Sequence, residues 1–121
     1  MDLYAEQIVD LSKNPLNRGQ LTKASHTASG VNTTCGDHVR VYLKVEKGVV
    51  TEASWEGDGC AISLAAASVL TEEVKGKKLS ELGGLSKENV YEWLGIDRLG
   101  PARVKCAVLS LETLQEALKH S

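Results

Sequence analysis

The sequence contains no phenylalanine, and its whole aromatic content is two tryptophans and three tyrosines. Without Phe, a core has to be filled by Val, Leu, Ile and Ala. An excess of charge is also missing. Fourteen Lys and Arg stand against sixteen Asp and Glu, a formal net charge of −2. That balance argues against a broad electrostatic grip on nucleic acid, which needs clustered basic residues, and against an anionic membrane surface as partner. No stretch approaches the ~20 apolar residues of a membrane span. Residues 1–14 carry acids at Asp2, Glu6 and Asp10, where a secretory leader would have a basic start and an apolar run. The expectation is a protein that stays in a reducing cytoplasm. Cysteine is scarce and odd in number: Cys35, Cys60 and Cys106. A disulfide framework normally uses an even count. In a reducing compartment, exposed thiols point instead to metal or catalysis.

A chain of 121 residues suits one domain with one core, and no linker or repeat divides residues 1–121. A short amphipathic helix is expected over 2–12, ended by Asn14-Pro15. The polar stretch from Leu16 to Thr34 reads as a loop with a weak strand around 20–27. Strand character is clearest at 38–46, where Val39, Val41, Leu43 and Val45 alternate with His38, Arg40, Tyr42 and Lys44. Glu46-Lys47-Gly48 reads as a bulged hairpin turn. The returning strand, 49–57, places Val49, Thr51, Ala53 and Trp55 on one face and Val50, Glu52, Ser54 and Glu56 on the other. The period then changes: Ile62, Ala65, Ala66, Val69 and Leu70 form a helical stripe, with Gly76 as the stop. A short helix over 86–94 begins at Ser86 as cap. A last helix starts at Gly100-Pro101 and carries Val104, Val108, Leu111 and Leu118. The fold class is therefore α+β: a small antiparallel sheet of two or three strands with helices on one face.

Each cysteine falls at a junction. Cys35 precedes the first clear strand, Cys60 follows the second, and Cys106 lies early in the last helix. An antiparallel hairpin returns to the end it left, with neighbouring strands about 5 Å apart. Cys35 and Cys60 are therefore expected close together despite the residues between them. No pattern places Cys106 beside them. Cys60 begins a helix, where unpaired N–H groups and the positive dipole end face an anion. Asp37 adds a carboxylate two residues from Cys35, with Gly36 between to bend the loop. Three thiolates and a carboxylate suit a four-coordinate site for Zn²⁺ or for the irons of a cluster. One hard oxygen among sulfurs should make such a site easier to open.

At these residues the chain resembles the IscU, SufU and NifU-type iron–sulfur scaffold family. The resemblance rests on four segments in order: Asn14-Pro15-Leu16-Asn17-Arg18-Gly19, Thr34-Cys35-Gly36-Asp37, Gly57-Asp58-Gly59-Cys60-Ala61-Ile62-Ser63, and Pro101-Ala102-Arg103-Val104-Lys105-Cys106. It implies a SufE/NifU-like fold and a scaffold on which a [2Fe–2S] or [4Fe–4S] cluster is built. A cysteine desulfurase would supply the sulfur, and apo iron–sulfur proteins would accept the cluster. It also implies that Cys35, Asp37, Cys60 and Cys106 bind metal or cluster, with one of the three cysteines receiving a persulfide. Lys105 stands where IscU-type members usually carry His, and Leu99-Gly100-Pro101-Ala102-Arg103 replaces their chaperone-binding Leu-Pro-Pro-Val-Lys. The motifs around Cys60 and Cys106 look like SufU, a zinc-bearing sulfur acceptor, whereas the length between them looks like IscU.

The plainer readings stand beside these. A lone Cys is commonly a small buried hydrophobe, and Asp37 by itself could simply cap a turn. His26 and His38 read as surface residues. Lys105 reads as a charge partner swinging over the site or as a simply exposed side chain. Three functions follow in order: a cluster scaffold rather than an enzyme, a zinc-dependent sulfurtransferase that accepts a persulfide, and a structural zinc domain. The last is disfavoured because structural sites usually draw on Cys and His in close pairs. A monomer or weak homo-oligomer is expected, without nucleic-acid or membrane partners.

Overall fold

The computed structural model describes residues 3–33, 36–96 and 99–119. Its elements run α1 (Leu3–Lys13), β1 (His26–Asn32), β2 (Asp37–Glu46), β3 (Val49–Asp58), α2 (Ala61–Val74), α3 (Leu79–Leu82), α4 (Lys87–Leu94) and α5 (Pro101–Ala117). The sheet is antiparallel throughout, in the order β1-β2-β3. One face is covered: α2 lies against β3, α5 against β1 and β2, and the two helices pack on each other. Helix α1 then rests on α2, and α4 bridges α2 and α5. The α+β expectation, a small antiparallel sheet with helices on one side, is what the chain forms.

Alternation in β2 does what a half-buried strand requires. Val39, Val41 and Leu43 are buried against the helices while His38 and Arg40 are exposed. Tyr42 breaks the simple pattern. It lies on the polar side of the alternation yet is only 9% exposed, because Arg40 stacks over its ring at 5.5 Å and its hydroxyl donates to Glu56. That hydrogen bond holds the phenol pKa above its usual value of 10.0, since the proton it shares with the carboxylate is harder to lose. The hairpin turn is tighter than expected. Lys47 and Gly48 both take positive φ, 54° and 77°, the two-residue form that matches strand twist. The irregularity lies further along: Lys44 pairs with Glu52 and Val45 with Val50, so Thr51 is an extra residue in β3. This bulge reverses the side-chain parity before it. Val50, expected opposite Ala53 and Trp55, is therefore buried beside them at 1% exposure.

Two further expectations are corrected. The weak strand placed around 20–27 is found at His26–Asn32, because residues 22–25 turn, with Lys23 at φ 64°. What makes His26–Asn32 a strand is pairing with β2, from His26 opposite Leu43 to Asn32 opposite Asp37. The same pairing draws in His26, expected at the surface. It is 7% exposed, and its Nδ1 lies 2.9 Å from the Ser25 hydroxyl. The short α3 was not expected.

Without Phe, the core is aliphatic around one large ring. Trp55, Leu43, Val41, Val50, Leu70, Val74, Leu82, Leu94 and Leu114 are essentially inaccessible. Ala65, Ala66 and Ala67 let α2 settle closely on the sheet. The outer edge of β3 is strapped by two segments. Residues 16–19 bond to Trp55: its N–H donates to the Asn17 carbonyl at 3.0 Å, and its carbonyl accepts the Gly19 N–H at 2.7 Å. The Trp55 Nε1–H donates to the Leu16 carbonyl at 2.8 Å, and Arg18 stacks on the ring at 5.4 Å. Residues 76–79 bond in the same way to Gly48 and Val50. An edge covered like this offers no template to another chain.

Candidate metal centre

The centre forms where β2 begins and β3 ends. His38 pairs with Asp58, so the chain returns to its starting point and turns through Gly59 and Cys60 into α2. This puts Asp37 under the first turn of that helix. A helix start leaves N–H groups without partners, and the side chain of the capping residue, Cys60, bonds none of them. Asp37 serves instead from 23 residues away: Oδ1 accepts the Cys60 N–H at 3.0 Å, and Oδ2 accepts the Ser63 hydroxyl at 2.8 Å. The approach needs a glycine between them. A Cβ on Gly59 would stand 2.5 Å from Asp37 Oδ1. Of the two readings left open for Asp37, ligand or cap, the cap is present here, on a helix and not on a turn.

Cys106 arrives from the second turn of α5, and Asn32 from the end of β1. Asn32 sits opposite Asp37 across the strands, with Nδ2 3.9 Å from the Cys106 sulfur. The ligand atoms of Asp37, Cys60 and Cys106 all lie within 4.8 Å of one another. A tetrahedral cation with bonds of ~2.3 Å to sulfur sets its donors ~3.8 Å apart, so closing on such an ion asks for a movement of roughly 1 Å or less. Two thiols and a carboxylate at this spacing fit Zn²⁺ or iron in donor type as well.

Exposure differs sharply within the group. Asp37 and Cys106 are 2% and 3% exposed, whereas Cys60 is open to solvent. Burial pushes the Asp37 carboxyl pKa up. Hydrogen bonds from the Cys106 thiol, the Ser63 hydroxyl, the Cys60 N–H and the Asn32 amide outweigh it and hold the group below its usual 3.8. The pocket thus keeps a buried anion. Among the described residues no ion pair involves it.

Of the expected site residues, Asp37, Cys60 and Cys106 come together, and the placement of Cys106 is what pattern alone did not supply. Cys35 lies outside the described residues; beside it, the Gly36 N–H donates to the Asn32 carbonyl at 2.8 Å. Lys105 is exposed and lines a groove with Val31, Asn32, Leu109 and Glu112. Adjacent residues on a helix point to different faces, which separates it from Cys106. His38 is exposed, as expected. Two residues at the centre escaped the sequence reading, Ser63 and Asn32. Ser63 had a visible signal: it lies three residues after Cys60 in a helix, the spacing at which side chains meet. Asn32 had none, since only strand pairing brings it in. A broader groove, lined by Ser29, Val31, His38, Arg40, Glu56 and Asp58, occupies the open face of the sheet and includes neither described thiol, Cys60 or Cys106.

Comparison with known proteins covers nearly the whole chain. The family described as NifU-like N terminal domain matches residues 3–120. The iron–sulfur cluster assembly scaffold protein IscU of Thermotoga maritima is 39% identical over 97% of this chain and 93% of its own. The zinc-dependent sulfurtransferase SufU of Bacillus subtilis is 34% identical over 96% of this chain and 89% of its own. Among solved structures, FiSufU of the SUF system from Fervidobacterium islandicum AW-1 superposes with a TM-score of 0.80. It is 31% identical, over 93% of this chain and 94% of that one.

Proposed function

The chain belongs to the NifU-like N-terminal domain family, and from that premise we propose that it is a scaffold for iron–sulfur cluster assembly. In this reading it takes sulfur from a cysteine desulfurase, holds iron or a nascent cluster as cargo on Cys35, Asp37, Cys60 and Cys106, and releases it to apo-proteins. It acts as a carrier and not as an enzyme. The observation that carries the reading is the convergence of Asp37, Cys60 and Cys106, from three separate elements, within 4.8 Å.

The protein's own groups divide the work. Cys60 is exposed at the head of α2 and Cys106 is buried, so Cys60 is the thiol of this pair that a bulky donor can reach. Sulfur delivery is then an exchange: the Cys60 thiolate attacks the outer sulfur of the donor's cysteine persulfide. A sulfur–sulfur bond forms on Cys60, the donor's own breaks, and the donor cysteine leaves as thiolate, with no net oxidation. Asp37 supplies a fixed negative oxygen to iron. The Cys106 sulfur, beside the Asn32 amide, closes the other side. Anaerobic reconstitution with ferrous iron, sulfide and a desulfurase should give visible charge-transfer absorption, lost in Cys60→Ala and Cys106→Ala. A colourless product overturns the proposal.

The same donors fit zinc, and the 34% identity to a zinc-dependent sulfurtransferase favours that as the second reading. Zinc there would hold and polarise the thiolates. Elemental analysis separates the two: one equivalent of tightly bound zinc, with faster desulfurase turnover, selects the sulfurtransferase.

A further inference from the structure

The donors of the centre are tied together by a residue that is neither thiol nor acid. Ser63, in the first turn of α2, sets its Oγ 2.8 Å from Asp37 Oδ2, 3.6 Å from the Cys60 sulfur and 3.4 Å from the Cys106 carbonyl oxygen. One hydroxyl proton serves one acceptor well, and both distance and charge select the carboxylate. The oxygen lone pairs of Ser63 then face the Cys60 thiol. The other carboxylate oxygen, Oδ1, is already engaged by the Cys60 N–H. Asp37 is therefore gripped at both oxygens by the turn that carries Cys60. The Cys106 thiol and the Asn32 amide donate to the same carboxylate, and a cation bound by the Cys106 thiolate would stand where the thiol proton now lies.

We propose that Ser63 is a positioning residue for this centre: its hydroxyl fixes Asp37 as a one-oxygen ligand and ties it to the side of the Cys60 sulfur, which lies 3.6 Å from the same Oγ. The inference rests on the metal reading above. Without the hydroxyl, Oδ2 loses the donor that sets its direction, and the carboxylate can swing about the remaining Cys60 N–H···Oδ1 bond and offer both oxygens, which favours a higher coordination number than four. Outer hydrogen bonds of this kind set the orientation of metal ligands, and losing one typically costs 10–100-fold in affinity. The fold has little need of Ser63, because Ala is the better helix former and the Cys60 N–H still holds Oδ1.

The test is anaerobic titration of the reduced full-length chain with Co²⁺, together with Zn²⁺ competition against a chromophoric chelator. The unsubstituted protein should show the intense d–d bands of a tetrahedral site. Ser63→Ala should bind about tenfold more weakly, with weaker bands of a five- or six-coordinate ion, while its metal-free far-UV circular dichroism stays unchanged. Ser63→Thr, which keeps the hydroxyl, should recover both affinity and spectrum. Equal affinity and spectrum in Ser63→Ala, or a Thr variant as poor as Ala, overturns the role of Ser63 and leaves the metal reading standing. No binding by the unsubstituted chain overturns both.

Discussion

The aliphatic core and the polar pocket at the head of α2 are built from the same strands and the same helix, and they manage burial in opposite ways. In the core, Val41, Leu43, Val50, Leu70 and Leu114 exclude water with nothing left to satisfy, and the one polar atom of Trp55 finds the Leu16 carbonyl. In the pocket, Asp37, Asn32 and Cys106 are as inaccessible as core residues, yet each carries polar atoms. Burying a charge is costly unless it is paired and hydrogen-bonded. Among the described residues Asp37 has the hydrogen bonds, all from neutral donors. The core is complete in itself, whereas the pocket keeps a negative charge among neutral donors, the setting that the proposed cargo would meet. Stability and the proposed function are thus divided between the aliphatic interior and the head of α2.

Leu70→Ala is the strongest way to break that division. Leu70 is fully buried, and truncating a core Leu costs about 2–5 kcal/mol. Chemical denaturation should show that loss, while metal affinity of the folded fraction stays unchanged. A parallel fall in affinity would mean that the two regions are mechanically one. Gly59→Ala should act the other way round. Its Cβ would press within 2.5 Å of Asp37 Oδ1 and 2.9 Å of Cγ, displacing the carboxylate from the Cys60 N–H. Leaving that donor unmet costs about 1–3 kcal/mol, and metal affinity should fall by at least the tenfold expected when a ligand loses its orientation. Unaltered zinc competition in this variant would show that the carboxylate needs no such fixed seat.

The sequence disclosed these two regions unequally, for physical reasons. The hairpin was legible from its period of two; the nearness it implied, of Cys35 to Cys60, lies outside the described residues, and it is Asp37 that is seen beside Cys60. Val50 was misplaced because a single extra residue, Thr51, reverses the parity without changing composition. Strand β1 is poor in apolar residues, so its position and the burial of His26 depend on pairing with β2, which a local pattern does not encode. The helix over α2 was readable from its small residues. That Asp37 caps it from 23 residues away was not, because capping patterns are local by construction. Cys106 reaches the pocket through the packing of α5 on β1 and β2, a long-range event that no local periodicity encodes and that only the family resemblance implied.

A second carboxylate sharpens the comparison at its mildest end. Glu72 sits on the exposed side of α2, accepts from Asn17 Nδ2 at 3.2 Å and from Lys75 Nζ at 3.1 Å, and so helps hold the strap of residues 16–19 against β3. Those hydrogen bonds, the Asn17 one first, together with the Lys75 charge, keep its pKa below the usual 4.5. A folded-state pKa that is lowered means stability present above the unfolded value and lost as pH falls through the folded one. The Glu72 side chain is 54% exposed, so water screens the interaction and its worth should be only a few tenths of a kcal/mol. Denaturation of the unsubstituted protein and of Glu72→Gln should therefore differ by that small amount near neutrality, with the difference vanishing below the folded-state pKa of Glu72. A pH-dependent difference above about 1 kcal/mol would exceed what an exposed pair supplies. It would show that the strap, and not only the interior, sets the stability of the sheet edge.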